Sequence, residues 1–355
     1  MNRILRIALT ILVLFSFHAS CFALENMFYI LRTNPTPHRF SNLNNHAKFI
    51  NVLISQAYII DEQGNVKGFI DPEVLKFANE HAIKVMVMVT NVEFDKPKTH
   101  RFLSKISAQR KAIQTIIDLS KQYHYYGVQF DFENIGLEDK ASLTRFYLAA
   151  AEALHKNGFK ISFAVIPVTA DAPQESDFLK QKYENWGGAY DLKALGESGD
   201  FITVMAYDQH TRGTTPGPVA SIPWVEAVIK HTLQFIAPQK ISLGIPVYSG
   251  YWFTGDHSVN GVEQISVHLF DLSYEKVQAL MSKYHIKLKW NDIDKVNYAI
   301  YEQAWLNQYL FVEDAQSFKA KLALAKKYHL GSISVFRLGI EDPRIWSLLE
   351  SKNIF

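Results

Sequence analysis

Cysteine is nearly missing: the 355-residue chain has one, Cys21. A lone thiol closes no intrachain disulfide and builds no thiolate-rich metal site, and a chain of this length buries enough surface without such staples. The 13 histidines show no ligand spacing, so neither a metal nor another cofactor is expected. Excess charge of one sign is lacking too. Lys and Arg number 37 and Asp and Glu 35, and the first 23 residues hold Arg3 and Arg6 but no acid, leaving 35 of each beyond them. No basic tract points to nucleic acid. Gly/Ser linkers, Pro-rich tracts and low-complexity segments are absent beyond the leader, which argues for one continuous domain. A membrane-length apolar run is absent as well. Ile7–Phe17 falls short of the ~20 residues a spanning helix needs. Preceded by the basic start Asn2–Arg6 and followed by Cys21-Phe22-Ala23, it reads as a cleaved signal peptide over residues 1–23. An uncleaved anchor is the competing reading, and His18 fits poorly with lipid attachment at Cys21. The mature chain is expected to be secreted or periplasmic and free of the membrane.

What is present is aromatic and regularly punctuated. The chain has 24 Phe and 17 Tyr, with 48% hydrophobic residues overall. Apolar, β-rich runs are expected to be strands over Met27–Leu31, Ile50–Ile60, Lys84–Val89, Tyr126–Phe132, Lys160–Ile166, Phe201–Tyr207, Lys240–Val247 and Gly331–Phe336. Helical patterns separate them, among them Pro72–His81, Gln109–Tyr123, Ala141–Asn157 and Pro223–Phe235, with prolines suited to first turns. Eight strand–helix alternations predict an α/β fold, a closed (β/α)8 TIM barrel over residues 24–355. An open doubly wound sheet with a second domain is the rival arrangement. The gap between the seventh and eighth strands is too long for one βα unit. It contains a helical pattern (Ser273–Tyr284), two strand-like pieces (Ile286–Trp290 and Tyr298–Ile300) and a further helix (Ala315–Tyr328). It is expected to be a small α+β insertion, at about 253–330, walling the cleft.

The fourth strand carries the chemistry. Alternation along Tyr126–Glu133 puts Gln129, Asp131 and Glu133 on one face and Phe130 and Phe132 on the other. In a barrel the phenylalanines pack against helices and the polar stripe enters an interior normally filled by Val, Ile and Leu. Two carboxyls there are costly unless paired, protonated or used. Each disfavours ionisation of the other, so one pKa rises. Glu133 is nearest the strand's C-terminal end, where barrel active sites open, which makes it the candidate proton donor. A structural buried pair or a helix-capping carboxylate is the alternative for an isolated Asp-x-Glu.

The segment Gly127-Val128-Gln129-Phe130-Asp131-Phe132-Glu133 resembles the catalytic strand of family 18 glycoside hydrolases, Asp-Gly-x-Asp-x-Asp-x-Glu. With Asn134 it resembles especially the bacterial spore-germination, cortex-lytic branch, which reads Gly-Val-Asn-Ile-Asp-Phe-Glu-Asn. Gly188-Ala189-Tyr190-Asp191, Met205-Ala206-Tyr207-Asp208, Gly217-Pro218-Val219-Ala220 and Leu243-Gly244-Ile245-Pro246-Val247-Tyr248 continue the likeness, which runs from about Met27 to Ile340. The resemblance implies a retaining glycosidase in which the substrate's N-acetyl oxygen, not a second carboxylate, attacks the anomeric carbon. It casts Glu133 as acid/base, Asp131 as the partner of the acetamido N–H and Tyr207 as a donor to the acetamido oxygen, with Asp208 holding the sugar or orienting the pair. Gln129 departs from the family's Asp, and Phe336 stands where the family has a tryptophan under the distorted sugar. Beyond the matched motifs, Tyr248, Tyr251 and Trp252 are candidate sugar contacts or packing, Asn91 and His210 are further candidate contacts, and Trp224 is expected in the core. The implied ligand is an N-acetylated polysaccharide or oligosaccharide of peptidoglycan, chitin or N-glycan type, bound by a monomer. A non-catalytic, lectin-like barrel is the alternative.

Overall fold

The computed structural model describes residues 24–32, 36, 38–171, 176–212, 214–259, 262–303 and 305–350, apart from the side chains of 254–268 and 270. The expected signal peptide and Cys21 lie outside the described residues. Among those described, no helix is long and apolar enough to cross a membrane.

In chain order the strands are β1 (Glu25–Ile30), β2 (Val52–Ile60), β3 (Val66–Gly68), β4 (Lys84–Asn91), β5 (Gly127–Asp131), β6 (Lys160–Val165), β7 (Phe201–Val204) and β8 (Ile241–Pro246). They continue with β9 (Ser249–Val259), β10 (Val262–Leu272), β11 (Lys289–Asn291), β12 (Val296–Gln303), β13 (Leu306–Val312) and β14 (Ser332–Phe336). The order β1-β14-β8-β7-β6-β5-β4-β2 closes through a parallel β1–β2 pairing. Every pairing in that ring is parallel, so eight strands make the expected barrel, and β3 is a short antiparallel flap on β2.

Local chemistry sets the helices. Asp71 caps the helix Pro72–Glu80 by accepting from Glu73 N, with Pro72 in the first turn. In the helix Ile106–Tyr123, Ala112, Ile113, Ile116, Ile117 and Ser120 are buried at the three-to-four-residue spacing of one face. Phe130 on β5 and Phe132 just beyond it point outward as expected, into a layer of rings that includes Phe146 at 5.2 and 5.7 Å. That layer fixes which face of β5 looks inward.

The barrel interior is graded. Met27, Tyr29, Val52, Ile54, Met86, Met88 and Phe201 form one apolar cluster. Across the middle runs a wholly buried polar set from five adjacent strands: Gln129, Ser162, Thr203, Ser242 and Ser334. Gln129 accepts from the Tyr29 hydroxyl (2.6 Å) and donates to Ser162 and Thr203 (3.0 Å each), and Ser242 and Ser334 bond at 2.6 Å. Such buried polar side chains are tolerated because their bonds are made.

The insertion is larger in β-structure than expected and shorter in extent. Its sheet, β10-β9-β13-β12-β11, runs from Ser249 to Val312 and packs on the helix Tyr274–Tyr284 through Val277, Ala299, Leu310 and Val312. The helix Ala315–Lys327, assigned to the insertion from its position in the gap, packs on β8 and β14 and is the barrel's own seventh helix. The β9–β10 ribbon has no counterpart among the expected strands: Tyr251 and Trp252, expected as sugar contacts or packing, are strand residues of β9. The expected strand to Tyr207 stops at Val204, and the chain turns out toward the mouth, with Asp208 at φ 57°.

Candidate active site

Glu133 lies just beyond β5 and is held by its backbone. Asn91, the last residue of β4, receives Glu133 N–H on Oδ1 (3.0 Å) and donates from Nδ2 to Glu133 O (2.9 Å). The same Nδ2 reaches Thr99 Oγ1 (2.7 Å), whose hydroxyl donates to Asp95 O (2.8 Å). On the flanks, Tyr190 donates to Phe132 O (2.8 Å), and Asn134 donates to Phe94 O (3.0 Å). Glu133 is therefore clamped from both sides while its carboxyl stays in a cleft of about 720 Å³.

Tyr207 enters from the segment after β7. Its ring stacks on Phe336 at the end of β14 (5.4 Å, 26°), and Tyr248 meets both rings edge-on. Gly244 makes room for it: a Cβ there would stand 2.6 Å from Val204 O and 3.0 Å from the Tyr207 ring. The Tyr248 hydroxyl donates to Asp208 Oδ1.

Electrostatics follow burial. The Glu133 carboxyl is held well above the usual carboxylate range, first by desolvation and then by the charges of Asp131 and Asp208. Burial raises Asp131 to about 7. Burial raises Asp208 as well, opposed by the Tyr248 hydrogen bond and the Lys182 charge. Tyr207 is pushed up by burial and by its anionic neighbours, so it stays a neutral donor. Asp131 Oδ1 is buried with no hydrogen-bond partner among the described residues.

Of the residues singled out from sequence, Glu133, Tyr207 and Asp208 line the cleft, and Asp131, Tyr248 and Phe336 adjoin them. Four do not reach the cleft. Gln129 sits beneath it, wholly buried, with its amide taken by Tyr29, Ser162 and Thr203. Asn91 spends its amide on the Glu133 backbone and Thr99. Trp252 has no exposed surface, because β9 pairs with β13 there and sets it opposite Tyr309. His210 bonds Thr215 O (3.0 Å) and is not among the lining residues. The sequence reading missed a wall of the cleft, Asp177–Gly187, whose Phe178, Gln181, Lys182, Asn185 and Trp186 recur at one-face helical spacing. It also missed Arg212. Among the described residues, no group of three His, Cys, Asp or Glu is placed to hold a metal.

The model of the glycosyl hydrolases family 18 matches residues 26–341. The uncharacterized glycosylase YvbX of Bacillus subtilis is 24% identical, over 87% of each chain. The cortical fragment-lytic enzyme of the same species is 26% identical over 76% of this chain, which spans only 60% of that relative's length. The crystal structure of a chitinase from Chromobacterium violaceum superposes with a TM-score of 0.79 at 24% identity, covering 92% of this chain and 98% of the other. The carboxyl pair on the fourth strand, the closed barrel and the matched length converge on one conclusion: this chain is a glycosidase of glycosyl hydrolases family 18.

Proposed function

We propose that the chain hydrolyses β-linked N-acetylglucosamine glycans with retention of configuration, using the substrate's own acetamido group as nucleophile. The observation that carries this is the orphan Asp131 Oδ1, a buried acceptor beside Glu133 with no partner among the described residues. A buried acceptor left unbonded costs about 1–3 kcal/mol. An acetamido N–H would satisfy it and aim the acetamido oxygen at the anomeric carbon. Glu133, kept protonated by burial and by Asp131, donates to the leaving oxygen and then takes a proton from water. Tyr207 donates to the acetamido oxygen, and Phe336 supplies a flat floor without an indole donor. Nothing in this scheme needs a carboxylate on the opposite face. Following hydrolysis of chitooligosaccharides by proton NMR tests it: the β-anomer must appear first, and an α-anomer as first product would rule out retention. The cortical fragment-lytic relative supports a peptidoglycan-type substrate, and the chitinase neighbour supports a chitin-type one. Export after cleavage following Ala23 completes the reading, and N-terminal sequencing of exported protein should begin at Leu24.

Two consequences concern the carboxyl pair and its mount. Removing the Asp131 charge removes a repulsion that raises Glu133, so in Asp131→Asn the alkaline limb of kcat/KM should move to lower pH, alongside a loss of about 10²-fold or more in rate. A profile that keeps its alkaline limb would separate the two groups. Asn91→Ala should lower kcat about 10-fold or more with KM little altered, because a small displacement of the acid is expensive in rate. It should also destabilise the fold by about 1–3 kcal/mol. Initial rates and thermal unfolding read both.

A further inference from the structure

After β6 the chain builds the cleft wall beside Glu133. The helix Asp177–Lys182 runs on into a single π turn, Tyr183–Gly187, a feature that recurs at functional sites. Phe178, Gln181, Lys182, Asn185 and Trp186 lie at i, i+3, i+4, i+7 and i+8, which is one helical face, and all five line the cleft. A helix outside a barrel ordinarily turns its apolar face to the sheet. Here Phe178 and Trp186 are 43% and 37% exposed and face the cavity instead.

Between these rings stands Lys182, with no hydrogen bond or ion pair among the described residues. Arg212, from the loop after β7, lines the same cleft and is likewise unpaired among them. The carboxylate that acts on Lys182 is Asp208, and its Oδ1 already accepts from Tyr248. Asp271 is the acid that feels Arg212. Glu133, protonated through its raised pKa, does not neutralise them. A chitin-type glycan offers only hydroxyls and acetamides, and gives two unpaired cations no counter-charge. A glycan whose alternate amino sugars carry a carboxylate does.

The place of this wall follows from the proton donor. Phe336 and Tyr248 are not part of the cleft lining, whereas Glu133, Tyr207 and Asp208 are. The wall thus shares one cleft with the proton donor, next to which the leaving oxygen must lie. We propose that Asp177–Gly187 and Arg212 form the leaving-group subsite, selecting an amino sugar with a free carboxylate through Lys182 and Arg212, while Phe178 and Trp186 cover its apolar faces. This rests on the hydrolase function proposed above.

The test uses three substrates: peptide-free peptidoglycan strands with free lactyl carboxylates, the same strands methyl-esterified, and chitohexaose. Wild type should prefer the acidic strands over the ester by roughly tenfold or more, the scale of one charge-assisted hydrogen bond. Lys182→Met with Arg212→Met should bring that ratio towards one, and added salt should weaken the wild-type preference. No preference in wild type, or equal losses on acid and ester in the double variant, overturns the proposal. If wild type cleaves none of the three, it is the hydrolase function that fails. Calorimetric titration of the same glycans then decides the inference: acid-selective binding lost in the double variant supports it, and equal binding of acid and ester sinks it.

Discussion

Glu133→Gln is expected to cut turnover by about 10²–10⁴-fold, the range that a positioned proton donor contributes, while glycan binding survives. The reasoning is local. Asn91, Tyr190 and Asn134 hold the backbone around residue 133, so an amide in place of the carboxyl changes the proton inventory and little else. Mass spectrometry of products from peptidoglycan and chitooligosaccharides, wild type beside variant, reads the turnover, and calorimetry reads the binding. Products from wild type alone, with reducing ends naming the bond cut, fit the mechanism. Equal turnover by the variant would transfer the acid role to another group.

The same substitution should raise stability, and the sign comes from the pKa. Folding lifts Glu133 above its unfolded value. Relative to the ionised state, its contribution is fully present below the unfolded pKa and is lost as pH rises through the folded one. Gln has no such loss. The Tm of the variant should therefore match wild type near pH 4 and exceed it increasingly towards neutral and alkaline pH. A constant difference across that window would point to packing rather than charge.

Lys321→Met carries the largest expected cost in stability. Lys321 is wholly buried, and its ammonium lies 2.7 Å from Glu313 Oε2, itself 3% exposed. Glu313 immediately follows β13, its N–H donates to Ser249 Oγ at the start of β9 (3.0 Å), and Ser317 Oγ donates to its carboxylate (2.7 Å). The pair thus fastens both ends of the insertion to the helix Ala315–Lys327 and so to the barrel. Removing one member strands a buried charge, at about 3–5 kcal/mol. Burial already raises Glu313, and the lysine is the largest influence opposing that rise. Without the lysine the carboxyl rises further, so the destabilisation should deepen as pH climbs from about 5 to 8. Urea unfolding at both pH values measures it, and Lys321→Met with Glu313→Gln should recover part of the loss. An unchanged unfolding midpoint in the single variant would mean that the insertion is anchored elsewhere.

The sequence alone determined the barrel and its chemical strand. Period-two alternation is a short-range property, so Asp131 and Glu133 could be placed on the inward face and Phe130 and Phe132 on the outward one before any fold was known. Eight such runs, spaced by helical patterns, leave few ways to bury both faces of every strand. Tyr207, Asp208 and Phe336 were legible through motif resemblance rather than through periodicity. Contacts across the barrel were beyond reach. Gln129 looked like a site residue because it shares a face with Asp131, but two residues of depth along a strand separate an open mouth from a closed interior. Asn91 and Trp252 were both candidate sugar contacts, Trp252 with packing as its alternative, and neither reaches the sugar cleft. What each side chain meets depends on neighbours 42 and 57 residues away: the Glu133 backbone takes the Asn91 amide, and β13 sets Tyr309 opposite Trp252. The cleft wall Asp177–Gly187 shows the same limit. Its helical spacing was in the sequence, but only the closed barrel decides that this face meets a cavity instead of a core.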